Sequence, residues 1–196
     1  MKTTPPTLEN DGLYITRKRK KWKFAHFDSY ANCFSHSRGD DPSAARREVM
    51  KFFKKEQPLV IELAAGNAGF SFQLAKLHPE YNFMAIDIKS DRLYTSAKQA
   101  LQEKVENIAF LRMHINELKQ IFSEGSIDTI WLTFPDPFPR TKSAKHRLTH
   151  PSYLKQYKDL LTKNGSLRFK TDNQQLFLWS LEQFVAEKWC FTELSF

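Results

Sequence analysis

The most reactive-looking part of this sequence is an acid held between prolines and followed by bases. The stretch TFPDPFPRTKSAKHRLTH, Thr133 to His150, places Asp136 between Pro135 and Pro137. Proline fixes its own backbone angle, so these neighbours stiffen the loop and preorganise the carboxylate. A carboxylate accepts hydrogen bonds from a planar base, and cations beside it take phosphates. The stretch therefore predicts a nucleic-acid ligand.

The residues after Asp136 supply the rest of such a site. Phe138, with Phe134, can stack on an extruded base. We expect phosphate contacts from four cations: Arg140, Lys142, Lys145 and Arg147. An alternative interpretation makes Pro-Asp-Pro a rigid turn in which the acid bonds its own backbone amides. The two histidines of this loop are expected to be solvated, and no metal site is predicted.

A second acid, Glu62, begins a turn of small residues in IELAAGNAGF, Ile61 to Phe70. It lies 25 residues before Asp87, close to the spacing of an acid that binds ribose hydroxyls. No Walker lysine follows the turn, and acids serve a pyrophosphate poorly. The pattern favours a cofactor with a positive centre and no phosphate, S-adenosyl-L-methionine. The alternative is a tight strand-to-helix turn with a solvent-facing acid.

Short apolar runs alternate with amphipathic segments from Pro58 onward, which predicts parallel β-α-β units. Helical stripes are predicted at Phe70/Leu74/Leu77, Leu93/Ala97/Ala100 and Phe177/Leu181/Phe184. Gly165 is predicted to cap the helix that begins near Pro151. The predicted strands are Leu59 to Leu63, Asn82 to Asp87, Ile108 to Met113, Ile127 to Phe134 and Ser166 to Thr171. The fold class is thus α/β, an open, mostly parallel twisted sheet with helices on both faces.

The net charge of +8 is concentrated in the first part of the chain. Residues 1–57 hold 13 Lys/Arg against 7 Asp/Glu and lack a sustained strand pattern, although residues 44–55 suit a basic helix. We expect 1–57 to be a basic N-terminal extension, partly flexible, and 58–196 to be the sheet domain. The run RKRKKWK, Arg17 to Lys23, suits either phosphate contacts with Trp22 as a stacking ring or a solvated arm. With no apolar run for a membrane helix and two distant cysteines, a soluble cytoplasmic protein with free thiols is expected.

With the Asp136 loop included, the chain resembles the bacterial tRNA (guanine-N7)-methyltransferase family. The match rests on Glu62, Gly66 and Phe70, on AID (85 to 87), and on three longer segments. These are FPDPFPR (134 to 140), KHRLTHPSYLKQY (145 to 157) and GSLRFKTDNQQLF (165 to 177). The resemblance covers about residues 58 to 185. It implies a Rossmann-like class I methyltransferase fold, which agrees with the strands predicted above.

The resemblance also implies roles for individual residues. Asp136 would be the catalytic acid, and Arg140 and Asp172 would bind the substrate. Capping of the following helix is an equal alternative for Asp172. The implied cofactor-binding residues are Glu62, Gly66, Asp87 and, where the family usually has aspartate, His114.

This chain departs from the family pattern in the cofactor turn and at its end. Ala64 and Ala68 replace the first and third glycines of the turn. The chain stops at Phe196, before the family's last strand, so we expect a sheet that lacks this strand or a pocket that is finished differently.

Together these features predict an S-adenosyl-L-methionine-dependent transfer of a methyl group to N7 of a guanine in tRNA. One alternative is a catalytically impaired RNA-binding protein with a methyltransferase-like fold. Another is a methyltransferase with a different planar nitrogen as acceptor. The sequence does not indicate whether the protein is a monomer or a homodimer.

Overall fold

A computed structural model describes residues 17–195 and shows six parallel strands in the order β1-β4-β3-β2-β5-β6. The strands are β1 (Cys33–Ser35), β2 (Leu59–Leu63), β3 (Asn82–Asp87), β4 (Ile108–Arg112), β5 (Ile127–Thr133) and β6 (Leu161–Lys170). The helices are α1 (Arg17–His26), α2 (Pro42–Phe52), α3 (Gly69–Leu77), α4 (Ser90–Gln102), α5 (Leu118–Ile121), α6 (Pro151–Leu160) and α7 (Gln174–Ala186). This is the predicted open α/β sheet.

Helices cover both faces of the sheet, which explains why the central strands are buried throughout and mostly apolar. Every residue of β2 and β3 is buried. On one face Val49 of α2, Leu154 of α6 and Phe184 of α7 pack on the sheet. On the other face Phe72 of α3 and Leu93 of α4 lie in a second apolar core. None of the helices within residues 17–195 is long and apolar enough to span a membrane.

The central strands were predicted to the residue, whereas the last one was not. β2 and β3 have the predicted bounds, but β6 begins at Leu161, directly after α6. Gly165 therefore does not cap a helix and lacks the positive φ of a left-handed cap. A Cβ at Gly165 would lie 3.0 Å from the backbone of Thr162, so this glycine permits a close approach of two chain segments. No further strand follows β6 within residues 171–195.

The N-terminal part of the chain contributes a strand to the sheet, which the sequence did not predict. β1 pairs in parallel with β4 and forms one edge, and α2 packs beside it. The expectation that strands begin only after residue 57 is wrong, because three residues are too few to show an alternating pattern. The domain boundary between residues 57 and 58, which was inferred from composition, remains a prediction. The prediction that this extension is flexible at its start falls on residues outside the described range, which begins at residue 17.

The basic helix α1 lies against α4 through an aromatic contact. The Trp22 ring stacks on His26 at 4.1 Å and meets Tyr94 edge-on at 5.7 Å. Trp22 is half-buried in these contacts, so it anchors α1 and is not the free stacking ring that the sequence suggested.

One helical stripe was also predicted wrongly. In α3, Leu77 is 71% exposed, and the buried apolar residues are Phe72 and Ala75. Phe70 turns instead towards the carboxyl end of the sheet, where its ring meets Trp131 edge-on at 4.9 Å. The stripe Leu93, Ala97, Ala100 is fully buried, as predicted.

Candidate functional site

A cleft of about 430 Å³ opens where the strand order reverses, at the carboxyl ends of β2, β3 and β5. It is lined by Glu62, Gly66, Asp87 and Asp136, four of the residues predicted from sequence. A neighbouring cavity of about 260 Å³ is lined by Asp87, His114 and Asp136. Ligands of open parallel sheets bind at such a reversal point. Asp87 and Asp136 therefore lie at the junction of two compartments.

The turn between β2 and α3 keeps a glycine-like backbone although it contains alanines. Ala64, Gly66 and Ala68 have φ angles of +55°, +57° and +58°, all in the left-handed region. For an alanine this conformation costs about 1–2 kcal/mol. A Cβ on Gly66 would meet no atom within 4 Å, so its backbone faces open space at the cleft. The turn thus offers an exposed backbone to a ligand, as a glycine-rich turn does.

Asp87 fixes this turn from the next strand. Its two carboxylate oxygens accept hydrogen bonds from the backbone N–H groups of Gly66 at 2.9 Å and Lys89 at 2.8 Å. The side chain is buried. A carboxylate oxygen can accept more than one hydrogen bond, so the Asp87 carboxylate can also accept hydrogen bonds from ribose hydroxyls.

Glu62 is buried behind the turn, and its carboxylate accepts hydrogen bonds from other residues of the protein. One oxygen accepts from the Ser71 hydroxyl at 2.6 Å and from the Ser71 N–H at 3.3 Å, and the other accepts from the Thr133 hydroxyl. Burial raises the pKa of the Glu62 carboxyl above its ordinary value, although these hydrogen bonds oppose the shift. Glu62 therefore joins the cofactor turn to the end of β5, a connection that the sequence did not reveal.

The loop that carries Asp136 is strained on both sides of the acid. Phe134 and Phe138 have φ angles of +47° and +42°, which are uncommon for bulky residues. The Phe134 N–H donates to the Lys170 carbonyl at 2.8 Å, Pro135 is buried, and Asp136 is exposed at the cleft. Strain of this kind persists only where surrounding contacts hold it. The prolines thus do only part of the stiffening predicted for them.

Arg147 supplies the missing restraint. Its guanidinium donates to the Phe138 carbonyl at 3.0 Å from Nη2 and to the Pro137 carbonyl at 3.2 Å from Nε. It also lies 4.4 Å from the centroid of the Trp179 ring. Arg147 is half-buried in these contacts, so it holds the loop, and its phosphate contact remains a prediction.

The other predicted substrate contacts lie outside the cleft. Arg140, Lys142 and Lys145 are exposed on or beside the 3₁₀ segment Thr141–His146, and none forms an ion pair with another described residue. Asp172 is exposed after β6 and does not line either compartment. It does not cap α7 either, because Asn173 accepts the Leu176 N–H at 2.8 Å.

Several residues at the cleft were not found from sequence. Cationic side chains line its rim at Lys89, Arg92 and Lys170, and Ile88 is a 45% exposed apolar residue between the compartments. The only sequence signal for Ile88 and Lys89 is their position directly after Asp87. Arg92 and Lys170 lie in ordinary helix and strand patterns, so no local signal could have found them.

The donor set fits S-adenosyl-L-methionine. Buried acids face the cleft from β2 and β3, apolar Ile88 and Met113 line the two compartments, and the turn at Gly66 leaves space for a close ligand. Acids suit the positive sulfonium and ammonium groups, and apolar side chains suit the adenine ring. Direct contacts of Glu62, Gly66, Asp87 and His114 with the cofactor remain predictions.

Comparison with known proteins agrees with this geometry. The family model described as "Putative methyltransferase" matches residues 56–194. A solved variant of the 16S rRNA (adenine(1408)-N(1))-methyltransferase of Catenulisporales acidiphilia, with cosubstrate SAM, has a TM-score of 0.54 at 12% identity, covering 72% of this chain and 72% of that one. At this identity the likeness concerns the fold alone, and together with the sheet order it defines a class I methyltransferase fold.

Closer relatives are tRNA (guanine-N(7)-)-methyltransferases. The enzyme of Pediococcus pentosaceus is 43% identical over 129 residues, which are 66% of this chain and 61% of the relative. That of Bacteroides fragilis is 37% identical over 172 residues, 83% of this chain and 66% of the relative. The chain belongs to the bacterial tRNA (guanine-N7)-methyltransferase family. It spans between about three fifths and two thirds of the length of these two relatives.

Proposed function

We propose that this protein transfers a methyl group from S-adenosyl-L-methionine to N7 of a guanine in tRNA. Family membership supports the substrate class. The observation that carries the proposal is the position of Asp136, an exposed carboxylate on a strained loop at the junction of the two compartments. A tRNA substrate also implies that the enzyme acts in the cytoplasm.

The chemistry of guanine N7 suits such a site. N7 carries a lone pair and no proton, so its methylation needs no general base. Orientation is the main requirement, and holding two reactants at about 3–3.5 Å can supply roughly 7–11 kcal/mol of the barrier. We assign Asp136 to the guanine, where its carboxylate accepts hydrogen bonds from N1 and the exocyclic amine and stabilises the cationic ring as it forms.

The cofactor would be held on the β2 and β3 side of Asp136. When bound, S-adenosyl-L-methionine supplies an electrophilic methyl group on its sulfonium. Asp87 would accept hydrogen bonds from the ribose, while the open backbone at Gly66 admits the ligand. Glu62 keeps the turn in place through Ser71. His114, exposed at the second compartment, would lie beside the adenine.

The exposed cations after the loop would bind the tRNA backbone. Replacing Arg140, Lys142 and Lys145 together by glutamine should weaken tRNA binding and lower the slope of log affinity against log salt by about 2–3, since fewer counterions are released. Affinity for the cofactor should not change. A salt slope equal to that of the unaltered protein would show that the RNA binds elsewhere.

The decisive experiment is methyl transfer to an unmodified tRNA transcript, followed by digestion and nucleoside mass spectrometry. N7-methylguanosine is the expected product, whereas an N-methylated amino group would indicate a different acceptor. If no product forms, calorimetry with S-adenosyl-L-methionine decides whether the protein is only an RNA-binding module. The left-handed backbone at Ala64 and Ala68 argues for an intact cofactor turn and against that reading.

A further inference from the structure

One face of β5 and β6 carries two exposed cations and two aromatic rings, of which Phe134 is exposed and Trp131 is half-buried. In the strand register Thr129 pairs with Ser166, Trp131 with Arg168 and Thr133 with Lys170, so these side chains share a face. Arg168 and Lys170 are exposed. Between them in sequence, Phe169 points the other way, where its ring lies 6.1 Å from that of Phe184 in α7. Helix α3 covers part of this face, because the Phe70 ring meets the half-buried Trp131 ring, whereas Arg168 and Lys170 remain exposed.

The side chains of this face are arranged as two cation–aromatic pairs. The guanidinium carbon of Arg168 lies 5.3 Å from the Trp131 ring, and the Lys170 ammonium lies 5.4 Å from the Phe134 ring. Phe134 is 55% exposed. Neither Arg168 nor Lys170 takes part in an ion pair with another described residue. The positive charge on this face is thus available to an anionic ligand.

The face is continuous with the cleft. Lys170 and Phe134 line the cleft, whereas Arg168 lies two residues before Lys170 and Trp131 lies three residues before Phe134. From Thr133 to Thr129 the strand extends about 13 Å away from Asp136. A polymer that enters the cleft with one base would therefore have its neighbouring units over this face.

We propose that this face, defined by Trp131, Phe134, Arg168 and Lys170, binds the RNA segment next to the methylated guanine. Its cations would contact phosphates and its rings would stack with bases. Exposed rings and cations on a sheet suit unstacked RNA, because every base has a π-face and every linkage is anionic. The inference rests on the proposed function, since it takes RNA as the substrate.

The first test removes one charge from the face and leaves the cleft unaltered. In the full chain, Arg168→Gln should weaken binding of a tRNA transcript about 5- to 10-fold and lower the salt slope by about one. Arg168→Lys should keep the salt slope but bind more weakly, because lysine lacks the planar stack. The matched control is Arg47→Gln, which removes an exposed arginine from α2, a helix on the opposite face of the sheet, and should change neither quantity. Fluorescence anisotropy without cofactor measures all four proteins.

Two outcomes would overturn the proposal. One is an affinity and salt slope for Arg168→Gln equal to those of Arg47→Gln. The other is an Arg168→Gln protein that sediments differently from the unaltered protein in the absence of RNA but binds RNA equally well, which would make this face a contact between protein molecules. Photo-crosslinking of a 4-thiouridine-substituted transcript gives an independent readout. Attachment at Trp131 or Phe134 is expected, and attachment only to other regions would refute the assignment.

Failure of this inference is distinguishable from failure of the proposed function. If N7-methylguanosine forms and Arg168→Gln binds tRNA normally, the function stands and the face does not bind RNA. If no methylation occurs but Arg168→Gln binds RNA more weakly with a lower salt slope, the face stands and the catalytic proposal fails.

Discussion

Removal of the Arg147 guanidinium should loosen the loop that carries Asp136. Arg147→Met keeps an apolar stem over Trp179 but deletes the hydrogen bonds to the Phe138 and Pro137 carbonyls. A hydrogen bond to a charged group contributes about 1.5–3 kcal/mol, and because both bonds come from one half-buried guanidinium we count them together at the lower end of this range. The cation–aromatic contact adds about 0.5–1 kcal/mol. We therefore expect a loss of about 2–2.5 kcal/mol of unfolding free energy.

For a domain of this size, such a loss lowers Tm by about 4–10 °C. The effect on catalysis should be larger than the effect on binding. Without the guanidinium, the left-handed conformation of Phe138 loses its restraint, and Asp136 lies only two residues away. A displacement of about 1 Å can reduce turnover by about 10²-fold. Arg147→Lys should recover part of both losses, since it restores the charge and one donor.

The assays are thermal melting, kcat for methyl transfer at saturating tRNA, and the salt slope of tRNA binding. If Arg147 holds the loop, Arg147→Met lowers Tm and kcat and leaves the salt slope of tRNA binding nearly unchanged. A phosphate contact would do the reverse, lowering the slope by about one while Tm and kcat stay near those of the unaltered enzyme. That second pattern would refute the structural role argued here.

Three further substitutions test the site. Asp136→Asn should reduce methyl transfer by at least about 10²-fold while calorimetry shows unchanged cofactor affinity; near-normal turnover would exclude the catalytic role. Burial raises the pKa of Glu62 above the ordinary 4.5, so between pH 4.5 and the raised pKa the native state binds more protons than the unfolded state. The free energy of unfolding should therefore fall as pH rises through this range. Glu62→Gln should abolish this fall in urea titrations between pH 4 and 8, and parallel profiles for both proteins would contradict the assignment. Ala64→Gly should stabilise the fold by about 0.5–1 kcal/mol, because relief of the left-handed alanine exceeds the added chain entropy; a lower Tm would show that the half-buried methyl contributes more than its strain costs.

The sequence predicted the centre of the site well because its signals there are local. Glu62 and Asp87 end apolar runs that could only be buried parallel strands, and the carboxyl ends of such strands meet at one edge. Asp136 lies three residues after the end of β5. Once the strands were recognised, these three acids had to converge.

The parts that were missed depend on contacts between distant segments. Arg147 looked like one more cation in a basic run, and only the fold shows that its donors reach back to the Pro137 and Phe138 carbonyls. The left-handed angles of Phe134 and Phe138 have no sequence signature, since bulky residues rarely adopt them. Gly165 suggested a helix cap, but its role depends on the backbone of Thr162 and Ile127 beside it.

The burial of Glu62 has a physical explanation in the way it joins both halves of the site. A carboxylate near the end of a fully buried strand costs desolvation free energy, which is why its pKa is raised. The cost is offset by hydrogen bonds from Ser71 on the cofactor side and Thr133 on the side of the Asp136 loop. β2 and β5 are adjacent, with Glu62 opposite Trp131, so this acid can reach both. We therefore expect a change in the turn at Gly66 to reach the Asp136 loop through this one side chain, so that the proposed binding of the cofactor and orientation of the guanine are coupled.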